Sequence, residues 1–113
     1  MVINNDQLNL IFGALSDTTR RNMLIRLSDG EMNIKTLAEP YNMSQPAISK
    51  HVRVLEKAGL IDKTVQGRES IVRINRNRVK QARDWMDDYM QFWDDQFDAI
   101  DQHIQSKEDK TDE

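Results

Sequence analysis

Residues 44–61 read SQPAISKHVRVLEKAGLI, and this stretch holds a helix with both of its ends marked. Ser44 is a good N-cap, Pro46 stands in the first turn, where a missing N–H costs nothing, and Gly59 supplies a left-handed stop. Between them Ile48, Val52 and Leu55 recur at i, i+4 and i+7, the spacing of one narrow apolar stripe. The remaining surface carries Gln45, Ser49, Lys50, Arg53 and Lys57, side chains that donate to phosphates and base edges. A thin apolar stripe under a broad face of Gln, Ser, Lys and Arg suits a groove, and the partner it implies is double-stranded DNA.

Working upstream, Tyr41-Asn42-Met43 forms a turn, and Pro40 closes a short helix, Ile34 to Glu39, capped by Asn33. Two helices joined by a short turn, the second polar on its outer face, make a helix-turn-helix. Before it, Leu8, Ile11, Phe12 and Leu15 mark one face of a helix over Asp6 to Leu15. Ser16-Asp17 caps another, running to about Ser28, with Met23, Leu24 and Leu27 inward and Gly30 ending it.

Downstream of Gly59 the apolar period drops to 2, since Ile61, Lys63 and Val65 alternate with Asp62, Thr64 and Gln66. Gly67-Arg68-Glu69 turns the chain, and Ser70 to Ile74 returns as a second strand. This hairpin is a wing, with Arg68 at its tip and Arg73 on the return strand. An arginine so placed enters a minor groove or holds a phosphate. A last helix starts at Asn75 or Asn77 and runs to about Gln105, its seam Val79, Ala82, Met86, Tyr89, Trp93, Phe97, Ile100 and Ile104. Residues 106–113, SKEDKTDE, have no apolar side chain and are expected as a disordered polar tail. The expected fold is mostly α with a small β-hairpin wing. Residues 1–105 form one DNA-binding domain whose last helix, about 76–105, serves dimerisation.

Composition narrows the classes. The 113 residues contain no cysteine, which removes disulfides, thiolate metal sites and cysteine redox chemistry. The opening MVINNDQLNL has no signal or anchor pattern, and no apolar run nears membrane-spanning length, so a cytoplasmic protein without membrane contact is expected. The net charge of −3 argues against a nucleic-acid partner only until the chain is divided. Residues 1–83 hold 14 basic and 8 acidic side chains, a net of +6, and residues 84–113 hold 2 and 11, a net of −9. Local potential decays over about 8–10 Å at physiological salt, so the basic part is what DNA would meet.

The segments LSDTTRRNML (15–24), LAEPYNMSQPAISKHVRVLEKAGLI (37–61) and GRES (67–70) together resemble the ArsR family of bacterial winged-helix transcriptional regulators. Helix, turn, reading helix and wing follow in family order over about Leu15 to Ile74. Thr18 departs from the proline usual there, which alters local rigidity more than function. The resemblance implies a homodimeric repressor of a palindromic operator, paired through its first and last helices. Leu8, Ile11, Phe12, Met86, Tyr89, Trp93, Phe97 and Ile100 are the interface residues, and they exceed what one small domain needs. The long helix fits, because roughly 30 residues span about 45 Å. The expected DNA-binding set is Ser44, Gln45, Pro46, Ser49, Lys50, His51, Arg53, Arg68 and Arg73. Within it Gln45, Ser49 and Arg53 face bases, and Lys50 and His51 lie nearer the backbone.

Metal sensing does not carry over. The family's thiolate pair would fall near Asn33 and Lys35, and Asp101 with His103 gives one D-x-H pair and no second. No metal and no cofactor is expected, while a small-molecule or protein effector stays open. The aspartates from Asp84 to Asp101 form a stripe opposite the seam, read as a solvated face, since one straight helix cannot wrap an ion. The aromatics Trp85, Tyr89, Phe92, Trp93 and Phe97 are read as core and interface, or as the lining of an apolar effector pocket. An alternative function is a winged-helix protein-interaction module that uses this last helix without specific DNA binding. No catalytic triad, carboxylate pair or phosphate loop supports an enzyme.

Overall fold

Among the described residues every helix begins at a side chain that accepts from the backbone, so the caps mark where each helix starts. The computed structural model describes the backbone of residues 3–111 and the side chains of residues 3–108. Asn4 and Gln7 form a reciprocal capping box at the start of α1 (Asn5–Leu15). Asp17 caps α2 (Thr18–Leu27), Asn33 caps α3 (Ile34–Ala38) and Ser44 caps α4 (Gln45–Lys57). Asn75 accepts from the Arg78 N–H and opens α5 (Arg76–Thr111). Three strands, β1 (Met32–Asn33), β2 (Ile61–Gln66) and β3 (Glu69–Ile74), complete the set.

The strands form an antiparallel sheet in the order β1-β3-β2. A two-stranded wing was expected; β1 adds a third strand, pairing Met32 with Val72 and Asn33 with Ile71. Asn33 therefore ends a strand and caps a helix at once, which ties the wing to the helix-turn-helix. The turn is shorter than expected, because Glu69 already pairs with Gln66 and leaves only Gly67-Arg68 between the strands. Gly67 adopts φ 65 and Arg68 a negative φ, the combination a type II′ hairpin needs. The alternating pattern of β2 is only partly used for burial: Ile61 is buried, and Val65 is exposed.

The chain divides into two compact units, Met1–Ala82 and Arg83–Glu113. In the first, Ile11, Met23, Leu37, Leu55, Ile61 and Val72 are the largest fully buried side chains, one or more from each of α1, α2, α3, α4, β2 and β3. Burying each contributes about 1.5–3 kcal/mol. The second unit lies wholly within α5 as far as it is described. That helix passes Gln105 and continues to Thr111, so the tail expected to be disordered is helical up to that point. Lys107, Glu108 and Lys110 are good helix formers, and neither Gly nor Pro interrupts them. Residues 112–113 of that tail lie outside the described residues.

Candidate nucleic-acid interface

α4 is pinned on one side and open on the other. Ile48, Val52 and Leu55 are buried, as their spacing requires. Its end is a Schellman motif: the Gly59 N–H donates to Glu56 O at 2.9 Å and the Leu60 N–H to Leu55 O at 3.1 Å. Gly59 holds φ 76, and Leu55 and Leu60 are both buried beside the turn. With the stripe and the stop fixed, Ser44, Gln45, Pro46, Ser49, Lys50 and Arg53 are all exposed. The Ser44 hydroxyl accepts from the Ala47 N–H at 3.3 Å, so its side chain is engaged in capping.

Gln45, Ser49 and Arg68 line one cleft between the helix-turn-helix and the wing. Asn33, Lys35 and Ser70 line it too, and sequence reasoning had not singled them out for this surface. The signal was present for Lys35: in so short a helix, burial of Leu37 leaves a residue two positions earlier outside. The cleft thus gathers two cations, two amides and two hydroxyls, donors that suit a phosphodiester strand, beside the one carboxylate of Glu69.

Two members of the expected set are placed differently from the rest. Arg73 is exposed but pairs across the ladder with Asp62, and it lines a separate cleft with Asp29, Glu31 and Arg76. A residue near the base of the hairpin cannot share the tip's position. His51 does not join the open face: its side chain is only 16% exposed, and its Nδ1 lies 3.1 Å from Arg20 Nη1 and 3.8 Å from Asp17 Oδ2. A step of one residue, about 100° on the helical wheel, separates a flank from an outer face, and the periodicity alone did not resolve which His51 occupies.

The expected dimer residues also divide. Leu8 is 5% exposed and Ile11 fully buried, so both belong to the core of their own unit. An apolar period marks a face that needs covering without saying which chain covers it. Phe12, by contrast, is exposed, as are Ile25 and Val79. Ile11, Leu15, Leu24, Ile25, Leu60 and Val79 line an almost wholly apolar groove within the first unit. In the second unit Met86, Tyr89, Trp93, Phe97 and Ile100 are all exposed. Trp85 stacks on Tyr89 with centroids 4.9 Å apart, Tyr89 meets Trp93 edge-on at 6.2 Å, and Trp93 meets Phe97 at 6.0 Å.

At the start of α2 the Asp17 carboxylate accepts from the Arg20 N–H at 3.0 Å. That bond chiefly holds its pKa below the usual carboxylate value; burial opposes it, and His51 and then the Arg20 guanidinium add to the lowering. Among the described residues no helix is long and apolar enough to cross a membrane, and no group of three His, Cys, Asp or Glu could hold a metal ion.

Known proteins resemble this chain in sequence and in fold. Residues 17–63 match the model described as bacterial regulatory protein, arsR family. The transcriptional repressor SdpR of Bacillus subtilis is 34% identical over 79 residues, covering 70% of this chain and 88% of that protein. The crystal structure of the ArsR family transcriptional regulator RHA00566 superposes with a TM-score of 0.76 at 36% identity, covering 83% of this chain and 97% of that one. A homodimeric winged helix-turn-helix DNA-binding domain, Mb0332 from Mycobacterium bovis, shares the fold at TM-score 0.61 and 24% identity, covering 66% of this chain and 70% of its own.

Proposed function

This chain belongs to the ArsR family of bacterial regulatory proteins, which are DNA-binding transcriptional regulators, and on that premise we propose a homodimeric repressor of a palindromic operator. Each copy inserts α4 into a major groove, the two reading helices lying about 34–36 Å apart. Gln45, Ser49 and Arg53 contact base edges, Lys50 and Lys35 neutralise phosphates beside them, and Arg68 grips the flanking DNA from the wing tip. The observation that supports this best is the open face of α4. Gln45, Ser49, Lys50, Arg53 and Lys57 are exposed while the apolar stripe behind them is buried.

The dimer reading draws on exposed apolar surface. Phe12 on α1 and the run Met86, Tyr89, Trp93, Phe97 and Ile100 on α5 supply it, with Leu8 and Ile11 acting as the support beneath α1. A helix that leaves five large apolar side chains exposed in one run gains by burying them against a second copy.

The test is selection of bound duplexes from a random pool. A palindromic consensus with half-sites one helical turn apart, or a multiple of it, is the expected result. No enrichment, together with no gel shift at low salt, would overturn the reading in favour of a protein-interaction module built on the last helix.

A further inference from the structure

Arg20 makes contacts in three directions from one guanidinium. Its Nε donates to Ala14 O at 2.7 Å and its Nη2 to Gly13 O at 3.2 Å, a carbonyl that also accepts from the Ser16 N–H and hydroxyl, so the guanidinium is tied to the last turn of α1. Its Nη1 meets His51 Nδ1 at 3.1 Å. A guanidinium has only hydrogens to offer, so Nδ1 accepts and the ring proton belongs on Nε2. The backbone of the same residue donates to Asp17, the α2 cap. The planar group is thereby oriented before it reaches α4, and little further entropy is lost in making the last bond.

α4 needs such a contact. Its buried stripe is three residues wide in sequence terms, Ile48, Val52 and Leu55, and apolar packing is not directional. A helix seated on one narrow stripe can roll. A roll of about 10° carries side-chain tips at a radius of roughly 5–6 Å through about 1 Å. That exceeds the few tenths of an ångström over which a hydrogen bond keeps its strength, whereas attraction to phosphates barely changes. His51 lies on the flank of the stripe, where a directional bond opposes rolling most effectively.

We propose that Arg20 and His51 form a latch that sets the roll of the reading helix against the α1–α2 corner, with His51 a positioning residue and not a DNA contact. The inference rests on the DNA-reading role given above to α4. It also joins α1, which carries the exposed Phe12, to the helix that would read the bases.

The test compares three substitutions of His51, and one of Arg20 combined with His51→Asn, in the full chain, using the selected duplex and a scrambled duplex of equal length. In His51→Asn the amide oxygen occupies roughly the place of Nδ1, in His51→Gln it reaches toward Nε2, and in His51→Leu no acceptor remains. Affinity of His51→Leu for the selected duplex should fall about tenfold, as for one charge-assisted hydrogen bond, while scrambled-duplex affinity stays constant. His51→Asn should recover most of the loss, and Arg20→Gln should abolish that recovery. In the DNA-free protein, amide exchange along α4 should quicken in His51→Leu and not in His51→Asn, which tests the latch without reference to DNA. Rescue by His51→Gln in place of His51→Asn would reveal a direct DNA contact and overturn the latch. Unchanged affinity and exchange in His51→Leu would overturn it too. Failure of the unmodified protein to prefer its selected duplex indicts the DNA reading instead, leaving the exchange result to judge the latch.

Discussion

Asp17 concentrates several roles in one carboxylate: it caps α2, lies 3.8 Å from His51, and is held below its ordinary pKa mainly by the Arg20 N–H. A carboxyl whose folded pKa is depressed adds stability that is complete above the unfolded value and disappears as pH falls through the folded one. Asp17→Ala should therefore cost about 0.5–2 kcal/mol at neutral pH, with the gap to the unmodified protein narrowing below roughly pH 4. Urea unfolding at both pH values measures this, and a gap independent of pH would contradict it. Gln45 answers a different question. If its amide pairs with a base edge, Gln45→Ala should relax preference at one operator position by about 1–3 kcal/mol and leave the other positions alone. Competition binding with single-base operator variants reads the effect, and a uniform loss at all positions would assign Gln45 to the backbone.

At the scale of elements, the ends were more legible in the sequence than the faces. Asp17, Asn33, Ser44 and Gly59 announce four boundaries, because a cap or a left-handed glycine has one local physical use. β1 was invisible, since two residues carry no period and the partner strand lies some forty positions away. The buried faces of α1 and α4 were only half legible. Periodicity put Leu8 and Ile11 on the apolar side without assigning them to their own core, and it could not tell that His51 flanks the stripe. Gly59→Ala should destabilise the fold by about 1–2 kcal/mol through the left-handed backbone alone. A Cβ there would come within 2.7 Å of Arg78 Nε, but the end of a flexible side chain can swing aside. A lowered urea midpoint at constant m-value is the expected signature. On the wing, Arg68→Ala should weaken binding to every sequence and reduce the salt slope by about one unit, which a titration at several salt concentrations would detect or refute.

For the whole molecule, the division of charge sets two equilibria against each other. The basic majority of the charges in residues 1–83 favours DNA, and release of its counterions makes that binding weaken with salt. Residues 84–113 carry the net −9, and α5 displays the aspartates from Asp84 to Asp101 on exposed positions along with the apolar run. Two such segments brought together repel, and screening relieves them. Raising ionic strength should thus tighten self-association while loosening DNA binding, and sedimentation beside a binding isotherm at matched salt would show the opposite slopes. Parallel slopes would remove the acidic stripe from any role in assembly.

Trp85 and Trp93 are the only tryptophans, and both belong to the aromatic ladder of Arg83–Glu113. Indole fluorescence from this protein consequently originates on one side of the Ala82–Arg83 boundary, whereas α4 and the wing lie on the other. The chain comes with its own reporter, already separated from the surface whose occupancy one would wish to signal. A shift in emission on adding an operator duplex would mean that occupancy of one unit had been transmitted to the other, and unlabelled protein in a cuvette suffices to look for it.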